Sequence, residues 1–100
     1  MTITENKTVN SIELVISGRL DTATAPELET KLKHVASQTT TLYLNLQKIE
    51  YISSAGLRTV LLAHKLMLPS GGRMILKSPS SFCLQVLEAT GMDGILTIEN

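Results

Sequence analysis

The spacing of apolar and polar positions changes period several times along the chain. Ile12, Leu14 and Ile16 alternate with Glu13, Val15 and Ser17 across Ser11 to Gly18, a period of two that predicts a strand with one buried face. Thr2 to Thr8 is a more polar strand candidate, and Asn10 supplies the turn of a hairpin joining the two. The period then lengthens, so that Ala25, Leu28, Leu32, Val35 and Ala36 fall on one face of a helix. Thr24 and Glu27 have the spacing of a capping box, and Pro26 sits in the first turn, where a missing N–H costs nothing. Alternation returns from Thr40 to Leu46, with Leu42, Leu44 and Leu46 on one side, which predicts a central strand.

Ala55 to Leu68 is helical again, with Leu57, Val60, Leu61, His64, Met67 and Leu68 along one stripe. The opposite face carries Arg58, Thr59, Leu62, Lys65 and Leu66. There the two leucines form either an exposed contact patch or the edge of a broad core-facing helix. Pro69 to Gly72 stops the helix and Arg73 to Lys77 makes a short strand. Ser80 or Ser81 caps a third helix with Phe82, Val86 and Leu87 inward, Gly91 ends it, and Ile95 to Ile98 is a last strand. Strands alternating with helices require crossover connections. The order ββαβαβαβ predicts one α/β domain over residues 1–100, a mixed, mainly parallel sheet of four to five strands flanked by three or more helices.

Charge and composition narrow the functions such a domain serves. Nine basic and nine acidic side chains give a formal net charge of zero, so there is no electrostatic footprint for a nucleic-acid backbone or an anionic membrane. The aromatics are only Tyr43, Tyr51 and Phe82, too few for a base-stacking platform. No segment approaches the roughly 20 apolar residues of a membrane span, and MTITENKTVN lacks the basic start and apolar core of a secretory signal. The single cysteine, Cys83, supports neither an internal disulfide nor a cysteine-rich metal site and fits a reducing cytoplasm. A protein partner, met in the cytoplasm, is the expectation.

Enzyme chemistry finds no foothold. Ser53-Ser54-Ala55-Gly56 is not a G-x-S-x-G elbow, and neither His34 nor His64 stands out as an activating base. Gly71 to Arg73 lacks the further glycines and the lysine of a phosphate loop and reads as a turn. No two of His34, His64 and Cys83 have metal-ligand spacing within one element.

The informative stretch is KIEYISSAGLRTVLLAHK, where a serine pair and a glycine join a strand end to an amphipathic helix. Only one of Ser53 and Ser54 can occupy the N-cap position, which leaves the other hydroxyl free. A phosphate there is favoured by the helix dipole and its unpaired N–H groups. Gly56, lacking a side chain, lets another backbone approach. Asp21 is either a carboxylate presented to a partner or a turn residue preparing the first helix. His64, within the apolar stripe, reads as a half-buried core histidine.

GRLDTATAPEL, Gly18 to Leu28, resembles the Gly-x-Leu-Asp strand end and following helix of STAS domains. LNLQKIEYISSAGLR, Leu44 to Arg58, resembles the segment around the phosphorylated serine of that family's anti-sigma factor antagonists. The resemblance places the acceptor serine on Ser54, the helix-start glycine on Gly56 and the Gly-x-Leu-Asp aspartate on Asp21. The chain departs in carrying Ser53 where many members have Asp, and Ala55 where they have a second serine. In such antagonists the unphosphorylated form binds an anti-sigma factor that is also a serine kinase, freeing a sigma factor. Phosphorylation with ATP as donor ends the binding, and a separate serine phosphatase resets it. Taken with the outer face of the second helix, which supplies Arg58, Leu62 and Leu66, the expected partner surface is Asp21, Ser53, Ser54, Ala55, Gly56, Arg58, Leu62 and Leu66, with no cofactor and no metal. The other role the resemblance allows is that of a non-switching STAS subunit in a lipid- or anion-transport assembly.

Overall fold

A computed structural model describes all residues 1–100. The strands are β1 (Thr2–Lys7), β2 (Ser11–Leu20), β3 (Thr41–Ile52), β4 (Arg73–Lys77) and β5 (Thr97–Glu99). The helices are α1 (Ala25–Val35), α2 (Ser54–Met67) and α3 (Ser81–Ala89), with 3₁₀ turns at Ala36–Gln38, Leu68–Ser70 and Met92–Gly94. The expected ββαβαβαβ order is present. The strands lie side by side in chain order; β1 is antiparallel to β2, and β2 to β5 are mutually parallel.

Sequential parallel strands joined by crossovers of one hand put every connection on the same side of the sheet. Accordingly, Ile12, Leu14, Leu42, Leu44, Met74 and Leu76 of the sheet form one cluster with Leu28 and Leu32 of α1, Val60 and Met67 of α2, and Cys83 and Leu87 of α3. Desolvation in this cluster pushes the Cys83 thiol up to about 11, so it is packing, not a nucleophile. The other face carries no helix. There Glu13 accepts from Asn45 at 3.1 Å and pairs with Lys77 at 3.2 Å.

Three sequence expectations are corrected. β2 and β3 run past Gly18 and Leu46, because register shifts at Val15/Ser17 and Gly18/Arg19 carry the pairing on to Leu20↔Ile52. These irregularities break the period of two, so that Leu46, Ile49 and Ile52 are all buried, and Gly18 takes φ +99° beside one of them. On α2 the inward face is Gly56, Thr59, Val60, Ala63 and Met67, so small residues let the helix lie close while larger apolar ones flank it. Thr59, expected outside, is buried and donates to the Ala55 carbonyl at 3.1 Å. Leu57, Leu61 and His64 are half-buried, and Leu68, beyond the helix end, is exposed. On α3 Ser80 is the cap, accepting from the Cys83 N–H at 3.2 Å, and Cys83 with Leu87 faces inward. Phe82 is exposed instead.

Candidate functional site

The crossover geometry sets α1 and α2 side by side on one face of the sheet, with their N-termini at the C-terminal ends of β2 and β3, and the site lies at that end. β3 finishes at Ile52, and the Ser53 N–H donates to the Leu20 carbonyl at 3.0 Å, tying the start of α2 to the end of β2. Ser53 has extended backbone (φ −99°, ψ 177°), and its hydroxyl accepts from the Gly56 N–H at 3.4 Å. Ser53 is thus the N-cap, through a long and weak bond, and Ser54 is the first helical residue, exposed, with no hydrogen bond to its hydroxyl. No acidic side chain occupies the first turn of α2, so the positive end of its dipole is uncompensated.

Gly56 faces the interior. A Cβ built there stands 2.7 Å from the Leu20 carbonyl oxygen, 2.8 Å from Leu20 Cγ and 2.9 Å from Ile52 Cγ1. The close approach it permits is therefore to this chain's own β2, which corrects the expectation that a partner backbone comes in over it.

Asp21 closes the turn between β2 and α1. Its Oδ1 accepts from the N–H groups of Ala23 at 3.0 Å and Thr24 at 3.2 Å, and its Oδ2 lies 3.6 Å from Arg19 Nε. Thr24 forms no capping box; its hydroxyl donates to the Arg19 carbonyl at 2.8 Å and accepts from the Asp21 N–H at 2.9 Å. The hydroxyl is turned toward the Arg19 and Asp21 backbone, away from the helix N–H groups. Desolvation pushes the Asp21 carboxyl up, but the bonds from Thr24 and Ala23, with Arg19 beside it, together hold it below its ordinary value. A lowered folded-state pKa contributes stability that is present above the unfolded pKa and is lost as pH falls through the folded one. Asp21→Asn is therefore expected to unfold more easily than wild type at neutral pH, with the gap closing as pH drops below the carboxylate range. Urea unfolding followed against pH checks this, and parallel curves would count against the turn role.

Between α1 and α2 runs an open groove of about 450 Å³. Pro26 and Glu29 stand on one wall, and Ala55, Arg58, Leu62 and Lys65 on the other. Leu62 and Leu66 are half-buried, not exposed, and Leu66 packs against the core. The patch beside Ser54 is thus a groove with Leu62 in its wall and Arg58 and Lys65 exposed along it. The structure brings Asp21, Ser53, Ser54 and Ala55 to one end of the domain, with Arg58 and Leu62 following along the α2 wall of the groove, while Gly56 is buried and Leu66 packs against the core. The α1 wall went unseen in the sequence, although sequential crossovers on one face already require these helices to be neighbours. A surface stack was missed as well: the Arg19 guanidinium lies 4.3 Å above the Tyr51 ring, whose centroid is 5.7 Å from that of Phe82.

Comparison with known proteins places this arrangement in a family. The STAS domain model matches residues 2–100. The chain is 30% identical over 89 residues to the anti-sigma-B factor antagonist of Bacillus subtilis, covering 89% of this chain and 82% of that one. An anti-sigma factor antagonist from Mycobacterium paratuberculosis superposes with a TM-score of 0.87 at 20% identity, over 97% of this chain and 83% of that one. The Bacillus cell fate determinant SpoIIAA in its phosphorylated form superposes with a TM-score of 0.76 at 20% identity, over 99% and 92%. The chain belongs to the STAS domain family. Within that family, the Bacillus subtilis relative it matches is an anti-sigma factor antagonist. No helix is long and apolar enough to cross a membrane.

Proposed function

We propose that this protein is an anti-sigma factor antagonist switched at Ser54. In its unphosphorylated form it binds an anti-sigma factor serine kinase in the cytoplasm, so that a sigma factor is released. Phosphorylation of Ser54 with ATP ends the binding, and a serine phosphatase restores it. The observation that carries this reading is the division of labour in the serine pair: Ser53 caps α2, while the Ser54 hydroxyl stands exposed and unengaged at the helix's first position. A phosphate there meets the positive end of the dipole and leaves the cap intact. It also puts about −1.5 to −2 charges at the mouth of the α1/α2 groove, where a partner would have to bury them. The anti-sigma-B factor antagonist among its relatives supports the choice of partner.

The test is incubation with the kinase and ATP, followed by mass mapping of the product. One phosphate on Ser54 is expected. Modification of Ser53, or of neither serine, contradicts the reading, which assigns Ser53 to the cap of α2 and the acceptor role to the exposed Ser54 hydroxyl.

A further inference from the structure

We infer that Arg58 is an internal clamp for the phosphate on Ser54, a role that rests on the phosphoswitch proposed above. Residues four apart on a helix stand one above the other on the same face, with Cβ atoms about 5–6 Å apart. Ser54 is the first residue of α2 and Arg58 follows it by four. Both side chains are exposed, and the Arg58 guanidinium takes part in no ion pair or hydrogen bond. The order is also the favourable one, with the anion N-terminal to the cation. A guanidinium presents paired N–H donors that match two phosphate oxygens, a fit that a seryl hydroxyl cannot exploit. Arg58 is thus unoccupied until the serine is modified.

The other charged groups around the site leave this pairing open. Glu29, on the α1 wall, is paired with Lys33 at 3.5 Å. Asp21, beside the start of α2, is held by its own turn and by Arg19, and repels the phosphate. Lys65 lies three turns further along α2, about 16 Å away. Capture of Arg58 also withdraws a cation from the groove wall that it shares with Leu62 and Lys65. The modification then alters the binding surface twice, adding a dianion at its mouth and neutralising a positive group inside it.

The experiment uses full-length protein carrying phosphate on Ser54, installed during translation and not by the kinase, and follows its second ionisation by ³¹P NMR. Free phosphoserine makes this transition near pH 6. In wild type the transition should lie lower, since Arg58 and the helix end favour the dianion while Asp21 opposes it. Arg58→Gln should raise it by several tenths of a unit and make it less sensitive to salt. Arg58→Lys should restore part of the shift, as a point charge without the guanidinium fork. The same transition in wild type and Arg58→Gln overturns the clamp. A kinase that leaves Ser54 unmodified overturns the switch instead, so the two failures are distinct.

Discussion

Ser54→Asp is expected to bind the partner kinase about a hundredfold more weakly than wild type, whereas Ser54→Ala should bind as tightly as wild type and stay bound in the presence of ATP. Alanine removes the acceptor but keeps a small uncharged side chain at an exposed position that makes no hydrogen bond. Aspartate puts a carboxylate where the partner must seal the groove. Burying it without a full counter-charge costs about 3 kcal/mol, which corresponds to roughly two orders of magnitude in Kd. Folding should not suffer, because the first helical turn favours an acidic residue and carries none. Thermal midpoints of the two variants should match that of wild type or rise slightly for Ser54→Asp. Titration calorimetry against the kinase separates the cases. Equal affinity for all three proteins would remove the switch and leave the non-switching subunit of a transport assembly as the better account.

Much of this site was legible in the sequence, and its gaps have identifiable causes. Strands with clean alternation, such as Ile12 to Ile16 and Leu42 to Leu46, and helices with strong breaks at Pro69 and Gly91 could be located from pattern alone. Extension of β3 to Ile52 could not, because the register shifts between Asn45 and Lys48 and between Ile49 and Tyr51 break the alternation on which recognition depends. The inward face of α2 was misjudged for a different reason. Hydrophobicity favours leucines for the core, yet close packing of a helix on a sheet selects for small side chains, and Gly56, Thr59 and Ala63 carry little or no signal on an apolar scale. The serine pair was recognisable as a cap plus a free hydroxyl. Which serine caps depends on the exact end of β3, and the bond from the Ser53 N–H to the Leu20 carbonyl fixes it. Asp21 stood equally for a turn or a contact residue, and its bonds to Ala23 and Thr24 show the part it plays in the turn.

That Leu20 carbonyl also makes Gly56 a tightly constrained position in the site. Gly56→Ala adds a Cβ 2.7 Å from the carbonyl oxygen and under 3.0 Å from the Leu20 and Ile52 side chains, well inside van der Waals contact. Alanine is the better helix former by about 1 kcal/mol, and overpacking of this kind typically costs 1–3 kcal/mol. Here the nearest atom is backbone, which cannot rotate aside, so the steric cost should prevail. We expect a net loss of about 2 kcal/mol, which lowers the midpoint of a domain this size by roughly 10 °C. Relief requires α2 to move away from β2, which lengthens the 3.0 Å bond from Ser53 and displaces Ser54. Kinase binding and phosphorylation should therefore fall together with stability. Leu20→Val in the same chain should recover little, because it trims the side chain and leaves the carbonyl in place. Gly94→Ala is the control: its Cβ would meet nothing within 4 Å, and its effect should stay within about 0.5 kcal/mol. Thermal unfolding of the four proteins decides the matter, and a Gly56→Ala variant as stable as wild type would show that α2 does not rest on the Leu20 backbone.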